Sequence, residues 1–126
     1  MLLKNLIKDI PKDKSNIFIS GIATNSKEVK KNYIFFAIKG NKLNGEIFIK
    51  EAIKKGASVI ICSNKCKFKD KKIKIIKTRD IRYLLSKISS KFYKLKPKNI
   101  IAVTGTNGKT SVAELFYQIL TLNNVP

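Results

Sequence analysis

The chain has 126 residues, 44% of them hydrophobic, which is enough for one packed domain with a real core and too apolar for disorder. Its net charge is +19, from 27 basic against 8 acidic residues. No apolar run approaches the ~20 residues of a membrane span, and the opening MLLKNLIKDIPKDK is too charged for a secretory signal, so membrane insertion is excluded and a cytoplasmic location is expected.

Such a charge invites an anionic partner. Yet the basic residues are 25 Lys and 2 Arg, spread along nearly the whole chain. Recognition of bases and phosphates leans on Arg as well. With abundant Ile and Asn, the lysines read as the coding bias of an AT-rich genome, and no specific nucleic-acid partner is expected. The two cysteines, Cys62 and Cys66, cannot make a structural zinc site by themselves, because four ligands are the norm and the chain has no His. They read as free thiols, with Cys62 packing as a small hydrophobe.

In chain order, Leu3, Leu6, Ile7 and Ile10 recur at helical spacing, and Pro11 ends that element. A short strand is predicted at Ile17–Ser20, and after it a polar, turn-like GIATNSKEVKKN. YIFFAIKG reads as a buried strand and NKLNG as a loop. Ile47, Phe48, Ala52 and Ile53 suit one face of a helix closed by Gly56. ASVIIC is a second buried strand, NKCKFKDKK a charged loop and IKIIKT a further strand. Asp80 is placed to cap a helix whose Ile81, Leu84, Leu85, Ile88 and Phe92 form an apolar stripe. After a break at Pro97, NIIAVTG reads as a strand, GTNGKT as a loop and SVAELFYQIL as a helix.

The alternation predicts an α/β protein with a boundary near residues 96–98. A small domain, 1–97, precedes it. Residues 98–126 form a lone β-loop-α unit that cannot cover a parallel sheet and resembles the start of a larger domain.

The sharpest local signal is Ala102-Val-Thr-Gly-Thr-Asn-Gly-Lys-Thr-Ser111. A buried strand delivers the chain to a glycine-rich turn that opens into a helix. Gly105 and Gly108 let the backbone approach phosphate oxygens, and the amides at the helix start make a positive cradle. Lys109 is placed to reach the β/γ-phosphates and the Thr110 hydroxyl to ligate Mg²⁺. Two residues, rather than the four of the general phosphate-loop pattern, separate Gly105 from Gly108.

TGTNGKT resembles the ATP-binding loop of the Mur ligases, the amino-acid ligases of bacterial cell-wall synthesis, and most of all the branch adding the third amino acid. GIATNSKEVKKNYIFFAIKGNKLNGEIFIKEAIKKGASVIIC is similar to that family's amino-terminal pattern. The pattern has an Asp-Ser-Arg triplet, a Leu-Phe-Ala strand, a Gly-x-x-x-Asp-Gly loop and a helix running into Gly-Ala. KFYKLKPKNIIAVTGTNGKT matches the passage between the family's domains, so the resemblance covers nearly the whole chain. Asn25 stands where the triplet has Asp, and Lys27 where it has Arg.

The resemblance implies a small mixed-sheet domain, 1–97, that binds a UDP-linked precursor. Thr24, Asn25 and Ser26 of the triplet region would contact it, with Asn41, Lys42 and Leu43 of the loop; Ser26 can hydrogen-bond a uracil or ribose. Residues 98–126 would begin a truncated ATPase domain, with Gly105, Thr106, Asn107, Gly108, Lys109, Thr110 and Ser111 on ATP. Lys109 and Thr110 are the expected catalytic residues, and Thr110 the Mg²⁺ ligand.

The implied reaction is phosphorylation of the carboxylate of UDP-N-acetylmuramoyl-L-Ala-D-Glu by ATP. The amine of diaminopimelate or lysine then attacks, and phosphate leaves. A monomer is expected, and a chain of this extent is expected to be inactive alone. Two other readings remain: a sister ligase adding D-Ala-D-Ala, and a basic non-catalytic binding module.

Overall fold

A computed structural model describes residues 1–7, 16–41, 43–95, 97 and 100–124. It divides into two compact units, Met1–Lys94 and Leu95–Pro126.

The first unit is built on four strands: β1 (Gly21–Ala23), β2 (Tyr33–Phe36), β3 (Ala57–Ser63) and β4 (Lys74–Thr78). They lie side by side in sequence order, and every neighbouring pair is parallel. The expected mixed sheet is therefore corrected. Antiparallel pairing among the described residues is limited to two isolated bridges, Leu2 with Phe18 and Lys39 with Asn44. Parallel neighbours need crossovers, and each crossover here leaves the chain free to cover a face of the sheet.

Side-chain alternation sorts the core into two layers. Phe35, Ile60 and Cys62 point to one face, where α2 (Ile49–Lys54) supplies Ile49 and Ala52. Ile34, Phe36, Val59 and Ile61 point to the other, against Leu3 and Leu6 of α1 (Leu3–Leu6) and Ile81 and Ile88 of α3 (Ile81–Phe92). The expected stripe of α3 is thus core, and Asp80 caps that helix, its carboxylate accepting from the Tyr83 amide at 2.9 Å. The six residues of α2 are too few to cover a four-stranded face. The segment read as a charged loop completes the cover: Cys66, Phe68 and Ile73 pack onto the same layer while the intervening lysines face outward.

Two elements differ from expectation near the amino terminus. The predicted strand at 17–20 makes only the Phe18 bridge, and the first ladder strand is Gly21–Ala23, inside the segment read as a turn. Buried Ile19 belongs to the second core layer, so the apolar signal there reports packing rather than pairing. The expected helix extends, among described residues, only over Leu3–Leu6; Ile10 and Pro11 lie outside the described residues, as do Lys96 and Lys98 of the expected boundary.

In the second unit α4 spans Lys109–Leu122. The described residues of the predicted strand, 100–105, form no ladder. Pairing needs a neighbour, and the described residues of this unit offer none. The stripe on α4 stays half-exposed, with Val112 at 52% and Ile119 at 55% of full accessibility.

Candidate functional site

At the carboxyl ends of β1 and β2 the chain leaves the sheet in two polar turns, with a cleft of about 560 Å³ between them. Crevices outside the carboxyl ends of parallel strands are where α/β sheets bind ligands. The first wall is Thr24-Asn25-Ser26-Lys27, the second Ile38, Gly40, Leu43 and Gly45, and Phe48 and Glu51 come from the segment leading into and through α2.

Each wall is held by a local device. The Asn25 side chain accepts from the Lys27 amide at 3.0 Å and opens a 3₁₀ turn over Ser26–Glu28. Asn44 does the same for Gly45–Phe48, accepting from the Glu46 amide at 3.1 Å. The second wall is closed by Gly40 N–H donating to the Leu43 carbonyl at 2.9 Å and Gly45 N–H to the Ile38 carbonyl at 3.0 Å. Gly45 is required by space: a Cβ there would sit 2.5 Å from the Ile38 carbonyl oxygen. The Glu46 carboxylate, accepting from the Ser63 hydroxyl at 2.7 Å, ties this wall to the end of β3.

Ser26 is 5% exposed and donates its hydroxyl to Glu51 at 2.8 Å. Glu51 also pairs with Lys55 at 3.2 Å. The Ser26 hydrogen bond first, then Lys55, holds the Glu51 carboxyl below the usual carboxylate range.

Of the residues expected to meet a precursor, Thr24, Asn25, Ser26 and Leu43 line this one cleft. Asn41 is exposed but not among its lining residues, and Lys42 lies outside the described residues. Sequence reasoning missed Ile38, Phe48 and Glu51. Phe48 and Glu51 sit in a stretch read for its helical face, where a polar residue one turn from the core gives no distinguishing signal.

The glycine-rich loop is described within the second unit. Gly105 has φ +152° and Gly108 φ +74°, regions that L side chains rarely adopt. Gly108 is the N-cap of α4, and no side chain caps that helix. The amides of its first turn are therefore left for an anion. Lys109 folds back over the loop, its ammonium donating to the Gly105 carbonyl and to that of Thr106 at 3.3 Å. Gly105, Thr106, Asn107, Gly108, Lys109, Thr110 and Ser111 are all exposed. The donor set fits a nucleotide phosphate: two glycines at positive φ, an uncapped helix start and an exposed ammonium. For a Mg²⁺ ion, Thr110 supplies one hydroxyl, and no group of three or more His, Cys, Asp or Glu that could hold a metal occurs among the described residues; the remaining ligands would have to include phosphate oxygens.

Cys62 and Cys66 are free thiols, as expected, and Cys66 is buried along with Cys62. Burial first, then the neighbouring Cys66 thiol, pushes Cys62 up to about 12, which marks it as packing rather than chemistry. No helix among the described residues is long and apolar enough to cross a membrane.

A parallel sheet with a cleft at its carboxyl edge, joined in the same chain to a glycine-rich turn that opens a helix, defines an α/β protein. The chain belongs to the Mur ligase family: the family model described as the Mur ligase catalytic domain matches residues 18–93. That span ends before the glycine-rich loop, so the assignment does not depend on the loop motif.

Among curated relatives, the UDP-N-acetylmuramoyl-L-alanyl-D-glutamate–2,6-diaminopimelate ligase of Rickettsia montanensis is 46% identical over 103 residues, covering 79% of this chain and 20% of the relative. Ligase 2 of the same name from Clostridium acetobutylicum is 37% identical over 121 residues, covering 94% of this chain and 25% of the relative. The chain thus spans about a fifth to a quarter of the length of these relatives. Among solved structures, the MurF ligase of Thermotoga maritima in complex with ADP matches with a TM-score of 0.63 and 31% identity, over 79% of this chain and 23% of that one. The UDP-N-acetylmuramoylalanyl-D-glutamyl-2,6-diaminopimelate–D-alanyl-D-alanyl ligase of Acinetobacter baumannii matches at 0.60 and 27%, over 82% and 23%.

Proposed function

We propose that the chain carries the precursor-binding unit and the phosphate loop of an ATP-dependent ligase of peptidoglycan synthesis. That ligase adds the third amino acid to UDP-N-acetylmuramoyl-L-Ala-D-Glu. Residues 1–97 would form the precursor-binding domain and 98–126 the start of the ATP-binding domain. The observation that carries the reading is the cleft lined by Thr24, Asn25, Ser26 and Leu43. Turns distant in sequence, each matching a family motif, converge there at the carboxyl edge of a parallel sheet.

The cleft's chemistry suits a nucleoside end. Ile38, Leu43 and Phe48 offer apolar surface to a flat ring, and Asn25, Ser26 and backbone groups offer polar contacts at its edge. In the loop, Gly105–Ser111 would hold the nucleotide phosphates, with Lys109 on the β/γ-phosphates and Thr110 on Mg²⁺. The bound nucleotide supplies the phosphoryl group that activates the precursor carboxylate. Lys109, once drawn from the Gly105 and Thr106 carbonyls, neutralises charge on the phosphates, and the α4 amides orient them.

Diaminopimelate is the amino acid favoured, from the names of the sequence relatives. A sister ligase adding D-Ala-D-Ala is the second reading, favoured by the likeness to the Thermotoga and Acinetobacter structures. The 46% identity to a diaminopimelate-adding ligase weighs more than structural likeness at 31%.

The test is an NMR titration of this chain with UDP-N-acetylmuramoyl-L-Ala-D-Glu. Shifts should concentrate on 24–27, 38–48 and 51. No shifts at millimolar ligand, or shifts confined to other surfaces, would refute the assignment.

A further inference from the structure

Glu51 sits on α2, opposite the turn that carries Ser26, and is joined to it by a hydrogen bond of 2.8 Å. A serine hydroxyl has one hydrogen and two lone pairs, and an ionised carboxylate only accepts. The Ser26 hydrogen is therefore committed to Glu51, and the hydroxyl can present only lone pairs to the cleft that Ser26 lines. We infer that Glu51 is a positioning residue that fixes Ser26 as an acceptor toward ring N3, making the cleft select a pyrimidine that carries hydrogen there, uracil over cytosine. The inference rests on reading this cleft as the nucleoside site.

The two pyrimidines differ at N3, which carries hydrogen in uracil and a bare lone pair in cytosine, and at position 4, a carbonyl in uracil and an amino group in cytosine; the inference sets N3 against Ser26. A uracil N3–H facing Ser26 completes a chain of hydrogen bonds from ring to hydroxyl to carboxylate, each link strengthening the next. A cytosine N3 would place acceptor against acceptor. Without Glu51 the hydroxyl could turn its hydrogen toward either base, and the distinction would fade.

The surroundings fit this role. Ser26 is 5% exposed, so water competes poorly for its hydroxyl. Lys55 pairs with Glu51 at 3.2 Å and donates to the Lys27 carbonyl at 3.4 Å, bracing the carboxylate against both its own helix and the Ser26 turn.

The experiment compares UDP and CDP in NMR titrations of the 126-residue chain, as wild type, Glu51→Gln and Glu51→Ala. The wild type should prefer UDP by roughly tenfold or more, the usual consequence of leaving a shielded polar pair unmatched. Glu51→Gln should keep most of that preference, because its amide oxygen accepts the same hydrogen. Glu51→Ala should bring the two ligands within roughly threefold of each other; the Glu51–Lys55 pair lost with it is half-exposed and worth little, and the freed Ser26 hydroxyl turns its hydrogen to the cleft. Equal affinities in the wild type, or a preference that survives Glu51→Ala, would overturn the inference while leaving the nucleoside site standing. If UDP perturbs none of the cleft residues, the site assignment falls and the inference with it.

Discussion

Replacing Gly45 with alanine tests whether the second wall of the cleft is held by close backbone approach. The added Cβ would lie 2.5 Å from the Ile38 carbonyl oxygen, 2.7 Å from the Ile38 nitrogen and 2.9 Å from the Ala37 carbonyl carbon. All three are backbone atoms continuing β2, so no side chain can rotate out of the way. Ordinary contact begins near 3.4 Å, which means the wall must retreat by on the order of 1 Å. The retreat would break the Gly45 N–H bond to the Ile38 carbonyl. Overpacking of this kind costs about 1–3 kcal/mol, and the lost hydrogen bond about 1 more. For a unit of this size the melting temperature should fall by about 10 °C or more. The displaced wall carries Leu43, so UDP affinity should fall with it. Gly40→Ala is the control: its nearest neighbour is the Leu43 carbonyl oxygen at 3.3 Å, and it should cost less than ~1 kcal/mol. Thermal unfolding by circular dichroism reads the first effect and calorimetric titration the second. A Gly45→Ala protein melting within ~2 °C of wild type, or one no more damaged than Gly40→Ala, would refute the steric cause.

Asp80→Ala should destabilise the first unit by about 1 kcal/mol through loss of the α3 cap, while Asp80→Asn keeps an acceptor for the Tyr83 amide and most of the stability; urea unfolding distinguishes them. Lys109→Ala should change the stability of this chain by less than ~0.5 kcal/mol, because the loop is exposed, yet lower turnover of a full-length ligase by about 10²–10³. Cys62 should resist alkylation by iodoacetamide at mildly alkaline pH until the chain unfolds. Its folded pKa is raised from the ordinary 9.0 to about 12, so its contribution to stability is intact below about pH 9 and is lost as pH rises toward 12. Alkylation in native buffer as fast as in denaturant would refute the burial of that thiol.

Much of the first unit was legible because its signals are strong and local. The runs YIFF and ASVIIC are too apolar to be anything but buried strands, IKIIKT reads as a further strand and forms the half-buried β4, and Asp80 with the Ile81–Phe92 stripe announces a helix and its start. Sheet direction is a different kind of property. A strand reads the same whether its neighbour runs parallel or antiparallel, and only the crossover lengths hint at the answer. The amino-terminal strand was displaced for a related reason: Ile17 and Ile19 are apolar because they pack on the sheet's second face, whereas Gly21–Ala23 pairs through backbone that its short, glycine-led sequence does not advertise. The Cys66 and Phe68 anchors were hidden by composition, since lysines between them dominate the count while alternation with those lysines is the actual signal.

Local hydrogen bonding also explains why the family's acidic positions can be asparagine here. At Asn25 and Asn44 one side-chain oxygen accepts one backbone amide and starts a 3₁₀ turn. An amide oxygen does this as well as a carboxylate, so geometry is preserved while two negative charges are removed. The residue that carries negative charge in the cleft is instead Glu51, one helix away and braced by Lys55. The triplet and the loop therefore shape the walls, and in the proposed reading recognition passes to a pair, Ser26 and Glu51, that no single motif contains. A sequence motif records residues that must be near one another along the chain. Glu51 meets Ser26 only because β1, β2 and α2 fold both onto the same edge of the sheet, and a substitution at Asn25 that keeps the acceptor should leave that meeting, and the cleft, intact.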